Sequence, residues 1–243
     1  ATDNNEIKVV SGVNDNYTGG IVGYINQNAT TISGTVHVYT NINVTGKNLY
    51  TGGIVGYVDV ANADAVAGAG TIVAIGNLNG DSNNFTFNGD IDATITTGGD
   101  NNVYLGGIVG YLIGANSKEY TEVENGVNIV KSNQSKINKT SFKGGAIYIH
   151  KGNSAAITIS SLNVGGLVGY MNHTFLSSGY VSGGIQIDLG NDTEEIEVTI
   201  TIANIGGVVG SVNGGEKENN KTDYVGVIGT KSWGNIKLGN NMN

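Results

Sequence analysis

Two pairs of carboxylates stand at the spacing that puts both side chains on one strand face: Asp90 with Asp92, and Glu195 with Glu197. Enzymes that cleave polysaccharides work with two or three such groups, one protonating the leaving oxygen and another activating water or attacking. A solvated strand face accounts for the same two pairs without any chemistry. The three histidines, His37, His150 and His173, lie far apart and share no local ligand spacing. There is no Cys, which removes thiol nucleophiles, thiolate metal sites and disulfides together. No Gly-x-Ser-x-Gly, His-Glu-x-x-His or phosphate-loop pattern is present. Calcium is the one cofactor with any support, because hard cations take Asp, Asn and Glu oxygens. Asp188, Asn191, Asp192 and Glu194 form one such run, and Asp81, Asn83 and Asn84 another. Neither run has the EF-hand spacing, and an acidic turn explains both equally. No catalytic, cofactor or metal residue is assigned, and the chain is read as a non-enzyme.

Composition narrows the class. The chain has 243 residues, 40 of them Gly, with no Pro, and a net charge of −8. All twelve basic residues are Lys. Phosphate binding wants clustered Lys or Arg, so nucleic acid is not an expected partner. Only 13% of residues are charged, so Asn, Thr, Ser and Gly must supply most of the wet surface. No run reaches the roughly 18 apolar residues of a membrane span, so no membrane insertion is expected of this segment. Nine Asn-x-Ser/Thr sequons occur, including Asn43, Asn138 and Asn172. The composition fits an extracellular or cell-surface location, and the start at Ala1 fits a trimmed product.

The elements that would position any site are set by a repeat. Gly19-Gly-Ile-Val-Gly-Tyr24 returns unchanged at Gly52–Tyr57 and Gly106–Tyr111. Gly165–Tyr170 has Leu for Ile, and Gly206–Ser211 is a weaker fifth copy. Successive copies start 33, 54, 59 and 41 residues apart. Between them run alternating segments such as Asn41-Ile-Asn-Val-Thr45, Asp90-Ile-Asp-Ala-Thr-Ile-Thr96 and Gly184-Ile-Gln-Ile-Asp-Leu189. Period-2 alternation of Ile and Val is a strand signature, and Gly and Asn clusters supply the turns. The pattern predicts an all-β single domain over 1–243, a parallel β-solenoid with two or three strands per coil and coils stacked about 4.8 Å apart. The common crossover rule makes it right-handed. The spacings of 54 and 59 exceed one simple coil. They hold either an extra coil, for which Gly144-Gly145-Ala146-Ile147-Tyr148 is a candidate, or insertions such as the polar stretch Asn116 to Lys139.

The hexapeptide reads as one strand with an aliphatic residue on each face, buried on both sides. Tyr24, Tyr57, Tyr111 and Tyr170 then align as a ladder. That ladder is either a packing spine or an exposed strip that grips sugar rings. A flat ice-binding face is a further idea, weakened because pairs such as Thr94 and Thr96 do not recur at a constant position. Residues 1–15 and 212–243 are expected to be terminal caps or exchanged strands. Trp233, the only Trp, is expected to anchor the terminal packing.

The Gly-Gly-(Ile/Leu/Val)-Val-Gly-Tyr copies resemble the GLUG motif, which recurs in bacterial surface adhesins and in non-catalytic repeats of some IgA-cleaving peptidases. The resemblance is carried by Gly19–Tyr24, Gly52–Tyr57, Gly106–Tyr111, Gly165–Tyr170 and, less fully, Gly206–Ser211, and so spans most of the chain. The Asn-Cys and Tyr-Ala-Thr-Gly stretches found between copies in many members are absent. The family implies a parallel β-helix and a scaffold that binds or presents, with no catalytic residues to carry over. The expected function is therefore a non-enzymatic adhesin or binding module facing a host glycan or surface protein. The alternatives are a subunit of an extracellular filament or surface layer that self-associates through its terminal strands, and a polysaccharide-acting β-helix enzyme.

Overall fold

The computed structural model describes residues 6–10, 15–26, 30–60, 73–78, 84–96, 99–114, 118–133, 135–152, 156–190, 198–213 and 226–239. Among them there is no helix. The chain visits five sheets in the same order, round after round. The first round is β1 (Glu6–Val10), β2 (Asp15–Gly19), β3 (Val22–Ile25), β4 (Thr30–Ser33) and β5 (Val36–Val38). The second is β6 (Asn41–Gly46), β7 (Asn48–Gly52), β8 (Val55–Asp59), β9 (Val73–Gly76) and β10 (Phe85–Phe87). The third is β11 (Ile91–Ile95), β12 (Asn101–Gly106) and β13 (Val109–Ile113), then a hairpin of β14 (Lys118–Glu124) and β15 (Val127–Asn133), then β16 (Ser135–Asn138) and β17 (Thr140–Phe142). The fourth is β18 (Ala146–Lys151), β19 (Ile157–Gly165), β20 (Val168–Asn172), β21 (Thr174–Ser177) and β22 (Tyr180–Val181). The fifth is β23 (Gly184–Asp188), β24 (Val198–Ile200), β25 (Ala203–Gly206), β26 (Val209–Asn213), β27 (Gly226–Ile228) and β28 (Lys231–Ser232). A last strand, β29 (Ile236–Leu238), returns to the sheet of β1.

We number the sheets 1 to 5 by the order in which the first round enters them. Every pairing within them is parallel, and β24 and β25 together pair β19 as one interrupted strand. The fold is thus all-β and parallel, consistent with a β-solenoid. Register carries like residues over like. Ile42, Ile91, Ile147 and Ile185 stack in sheet 1, and Ile75, Ile137 and Leu176 in sheet 4, all buried. Phe87 lies over Phe142 in sheet 5, ring centroids 5.8 Å apart, both fully enclosed.

Three expectations are corrected here. There are five sheets rather than two or three, because strands as short as Val36–Val38 and Phe85–Phe87 each form a separate side of a round. The spacings of 54 and 59 are each one round, since β7 pairs β12 and β12 pairs β19 directly. Gly144 and Gly145 belong to the corner between β17 and β18, and no extra coil separates those rounds. The hexapeptide is not one strand but a corner. Its first Gly ends a strand of sheet 2, the next Gly and the aliphatic residue bend, and Val-Gly-Tyr opens sheet 3.

Glycine is needed at this corner because backbones meet there. A Cβ on Gly53 would lie 2.2 Å from the carbonyl oxygen of Gly107 and 2.3 Å from Cγ of Phe87. The corner therefore reaches across to the sheet 5 column. The bend residues Ile54, Ile108 and Leu167 are buried in a stack, with Ile54 N–H donating to Ile108 O at 3.1 Å.

The expected insertion 116–139 is there only in part: β14 and β15, over 118–133, form an antiparallel hairpin outside the five sheets, whereas Ser135–Asn138 is β16, a regular strand of sheet 4. Asn125 and Gly126, with φ of 51° and 78°, form the hairpin's two-residue turn. The hairpin pairs with none of the five sheets, and β13 and β16 on either side of it keep their register.

Candidate functional site

The densest arrangement of functional side chains lies where sheets 2 and 3 face each other at the glycine corner. Tyr24, Tyr57, Tyr111 and Tyr170 are register partners in sheet 3, so the expected ladder forms. Tyr57 and Tyr111 stack at 4.9 Å, and Tyr111 and Tyr170 at 4.8 Å. A second column, not expected from the sequence, faces it from sheet 2. Tyr17, Tyr50 and Tyr104 are in register there, with Tyr50 and Tyr104 stacked at 5.1 Å. The columns meet edge to face, Tyr50 on Tyr57 at 5.0 Å and Tyr104 on Tyr111 at 4.8 Å, the arrangement that ring quadrupoles favour. A signal for the second column exists in the sequence. Each of its tyrosines stands two residues before the first Gly of a motif copy.

Toward the fifth round the aromatic columns give way to amides and a hydroxyl. Asn163 and Asn204 continue the Tyr104 column, Asn204 Nδ2 donating to Asn163 Oδ1 at 2.8 Å, and Ser211 follows Tyr170. Beside the sheet 2 column runs a second polar ladder, in which Asn48 Nδ2 donates to Asp15 Oδ1 at 2.8 Å and Asn102 N–H to Asn48 Oδ1 at 2.9 Å.

Burial first, then the negative charge of Asp59, holds the Tyr57 phenol well above its ordinary value. Burial with Asp15 does the same for Tyr50, and burial with the neighbouring phenols for Tyr111. Tyr17 is raised too, by burial first and then by Asp15. These phenols stay protonated at neutral pH and offer neither a base nor a nucleophile. Nor do they offer a platform. Tyr50, Tyr57 and Tyr111 each have another tyrosine on both sides, so no ring face is left for a sugar. Of the two readings of the ladder, the packing spine is the one this geometry favours.

The carboxylate pair on sheet 1 is split between partners. Asp90 Oδ1 accepts from the Ala146 backbone N–H at 2.8 Å, tying the third round to the fourth. Asp92 Oδ1 lies 3.5 Å from His150 Nε2. Glu195 and Glu197 lie outside the described residues, as do Asn191, Asp192, Glu194, Asp81 and Asn83 of the calcium runs. Asp188 closes β23, exposed, beside His150 in register. Among the described residues no group of three or more His, Asp or Glu is placed to hold a metal ion. Thr45 and Thr94 are register neighbours, but His150 and Asp188 follow them, so no flat Thr row forms at that position of sheet 1. Trp233 is corrected as well: 72% of it is exposed, so its ring does not anchor the packing of the described residues.

No protein-family model, curated protein or solved structure matches the chain.

Proposed function

We propose that this chain is a non-catalytic, extracellular binding module of the GLUG-repeat kind, built as a right-handed β-solenoid. The observation that carries the reading is the separation of scaffold from excursion. Five sheets run through five rounds with one register shift, at Asn101/Asn102 in sheet 2, while the hairpin of the third round pairs with none of them. A rigid body that tolerates insertions at its corners is the usual platform for recognition. The right hand follows the strong preference of parallel crossovers. The polar amide ladders and the broad faces of the sheets suit a partner at a cell surface. The direct test is binding of the purified chain to host cells, with competition by soluble glycans and by surface proteins released with protease. Binding that neither competes would sink the reading.

One observation favours a second reading, the filament subunit. Ile21 is 49% exposed at one end of the stack, while its equivalents Ile54, Ile108 and Leu167 are enclosed. Ile236 and Leu238 are exposed at the other end, while Ile185 and Ile187 beneath them are buried. Such ends favour addition of another copy. Sheet 1 opposes it, however, because it has six strands where sheets 3, 4 and 5 have five. A second copy stacked in register on the fifth round would bring its β1 to the edge of β23 that β29 already holds. The binding-module reading is preferred on that ground.

A further inference from the structure

Charge is unevenly placed for a chain of net −8. Among the described residues, no Asp or Glu stands on a strand of sheets 4 and 5 or at the corner between them. Lys136, Lys139 and Lys231 do, and Lys143 directly follows β17. These lysines alternate with aromatic rings. Lys136 is the register partner of Phe175. Lys143 Nζ sits 5.8 Å from the centre of the Tyr180 ring, and Lys231 is the register partner of Tyr180 on its other side. Trp233, largely exposed, stands two residues beyond Lys231.

We infer that this face of sheets 4 and 5, over the third to fifth rounds, binds an anionic polysaccharide. The inference rests on the binding-module reading above and supplies its ligand class. Uronate or sulfate groups would pair with Lys143 and Lys231, and the apolar face of a sugar ring would lie on the exposed ring of Trp233. Parallel stacking sets Lys143 and Lys231 two rounds apart, roughly 10 Å, with one aromatic ring between them. A chain that repeats a given anionic group on every second sugar, as chondroitin sulfate repeats its uronate, fits that spacing. A nucleic acid, with a phosphate on every residue, calls for denser cations and is the poorer fit.

The test is calorimetric titration of the full chain with chondroitin sulfate, with dextran as a neutral polymer and duplex DNA as a different polyanion. Chondroitin sulfate should bind, more weakly as salt is added, and dextran should not. The double substitution Lys143→Gln with Lys231→Gln should weaken binding about tenfold, from two exposed charge contacts. Trp233→Ala should weaken it separately, while the variants keep the parent's unfolding midpoint. Dextran binding as well as chondroitin sulfate would overturn the ligand class and leave the binding-module reading standing. Preference for DNA would overturn it in favour of a nucleic-acid face. Binding indifferent to all three substitutions would place the site elsewhere. Absence of binding to any polysaccharide would end the inference and leave only protein partners to the module.

Discussion

Replacing Gly110 by Ala strikes sheet 3 where it meets the backbone of sheet 2. The new methyl would lie 2.6 Å from the Thr51 backbone nitrogen, 2.7 Å from Gly56 O and 2.8 Å from the Thr51 carbonyl carbon. All three contacts are backbone, in sheet strands paired on both sides, so no rotamer change can relieve them. Overpacking a close-packed interior costs typically 1–3 kcal/mol, and with no side chain free to yield we expect about 3 kcal/mol. In a domain of this size that lowers the thermal midpoint by about 6–12 °C. Gly99 is the control, because a methyl placed on it would meet nothing within 4 Å and its φ is ordinary. Gly99→Ala should stay within about 0.5 kcal/mol of the parent. Far-ultraviolet dichroism followed through heat and urea reads both. If Gly110→Ala and Gly99→Ala unfold together, sheets 2 and 3 do not meet backbone to backbone and the corner lacks the close approach given to it.

Alkaline titration tests the tyrosine columns. The folded phenols of Tyr50, Tyr57 and Tyr111 are raised, so their contribution to stability is complete below the unfolded value of about 10 and is lost as pH climbs through the folded values. Phenolate absorbance should therefore rise in two stages, the later one tracking loss of structure, and a single transition near the ordinary value would refute the packing. Phe142→Ala, emptying a fully enclosed ring site, should cost about 3–5 kcal/mol in urea unfolding. Asp90→Ala should cost about 1–2 kcal/mol by orphaning the Ala146 N–H, whereas Asp90→Asn, which keeps an acceptor, should lose less. Equal effects of the two would show that Asp90 has no tie to the fourth round.

Much of this fold is legible because the repeat fixes both periodicity and register. Alternation at Asn41–Thr45, at 90–96 and at 184–189 marks strands of one sheet, and the Tyr of each motif copy marks one column. The corner is not, because a two-residue bend between strands leaves the alternation of Ile21 and Val22 looking continuous. Two consecutive glycines before it are the physical cue, since a strand interior gains nothing from them. The second column has its cue in Tyr17, Tyr50 and Tyr104 at a constant offset. Those tyrosines lie outside the repeated hexapeptide, on the strand that precedes it, so only the corner geometry turns them toward the first column. The hairpin is announced by Asn125-Gly126 between β-branched runs, a turn signal stronger than the polar composition around it. The lysine and aromatic face is not legible at all. Its residues come from three rounds, and only the stacking of β17, β22 and β28 brings Lys143, just past β17, and Lys231 to Tyr180.

The measurement that bears most directly on the central claim is the mass and shape of the purified chain at high concentration, by sedimentation velocity beside negative-stain electron microscopy. A binding module with β29 already on the edge of sheet 1 should remain a discrete particle of 25.0 kDa. Fibres that lengthen with concentration and repeat at one subunit length would contradict it and make assembly the function.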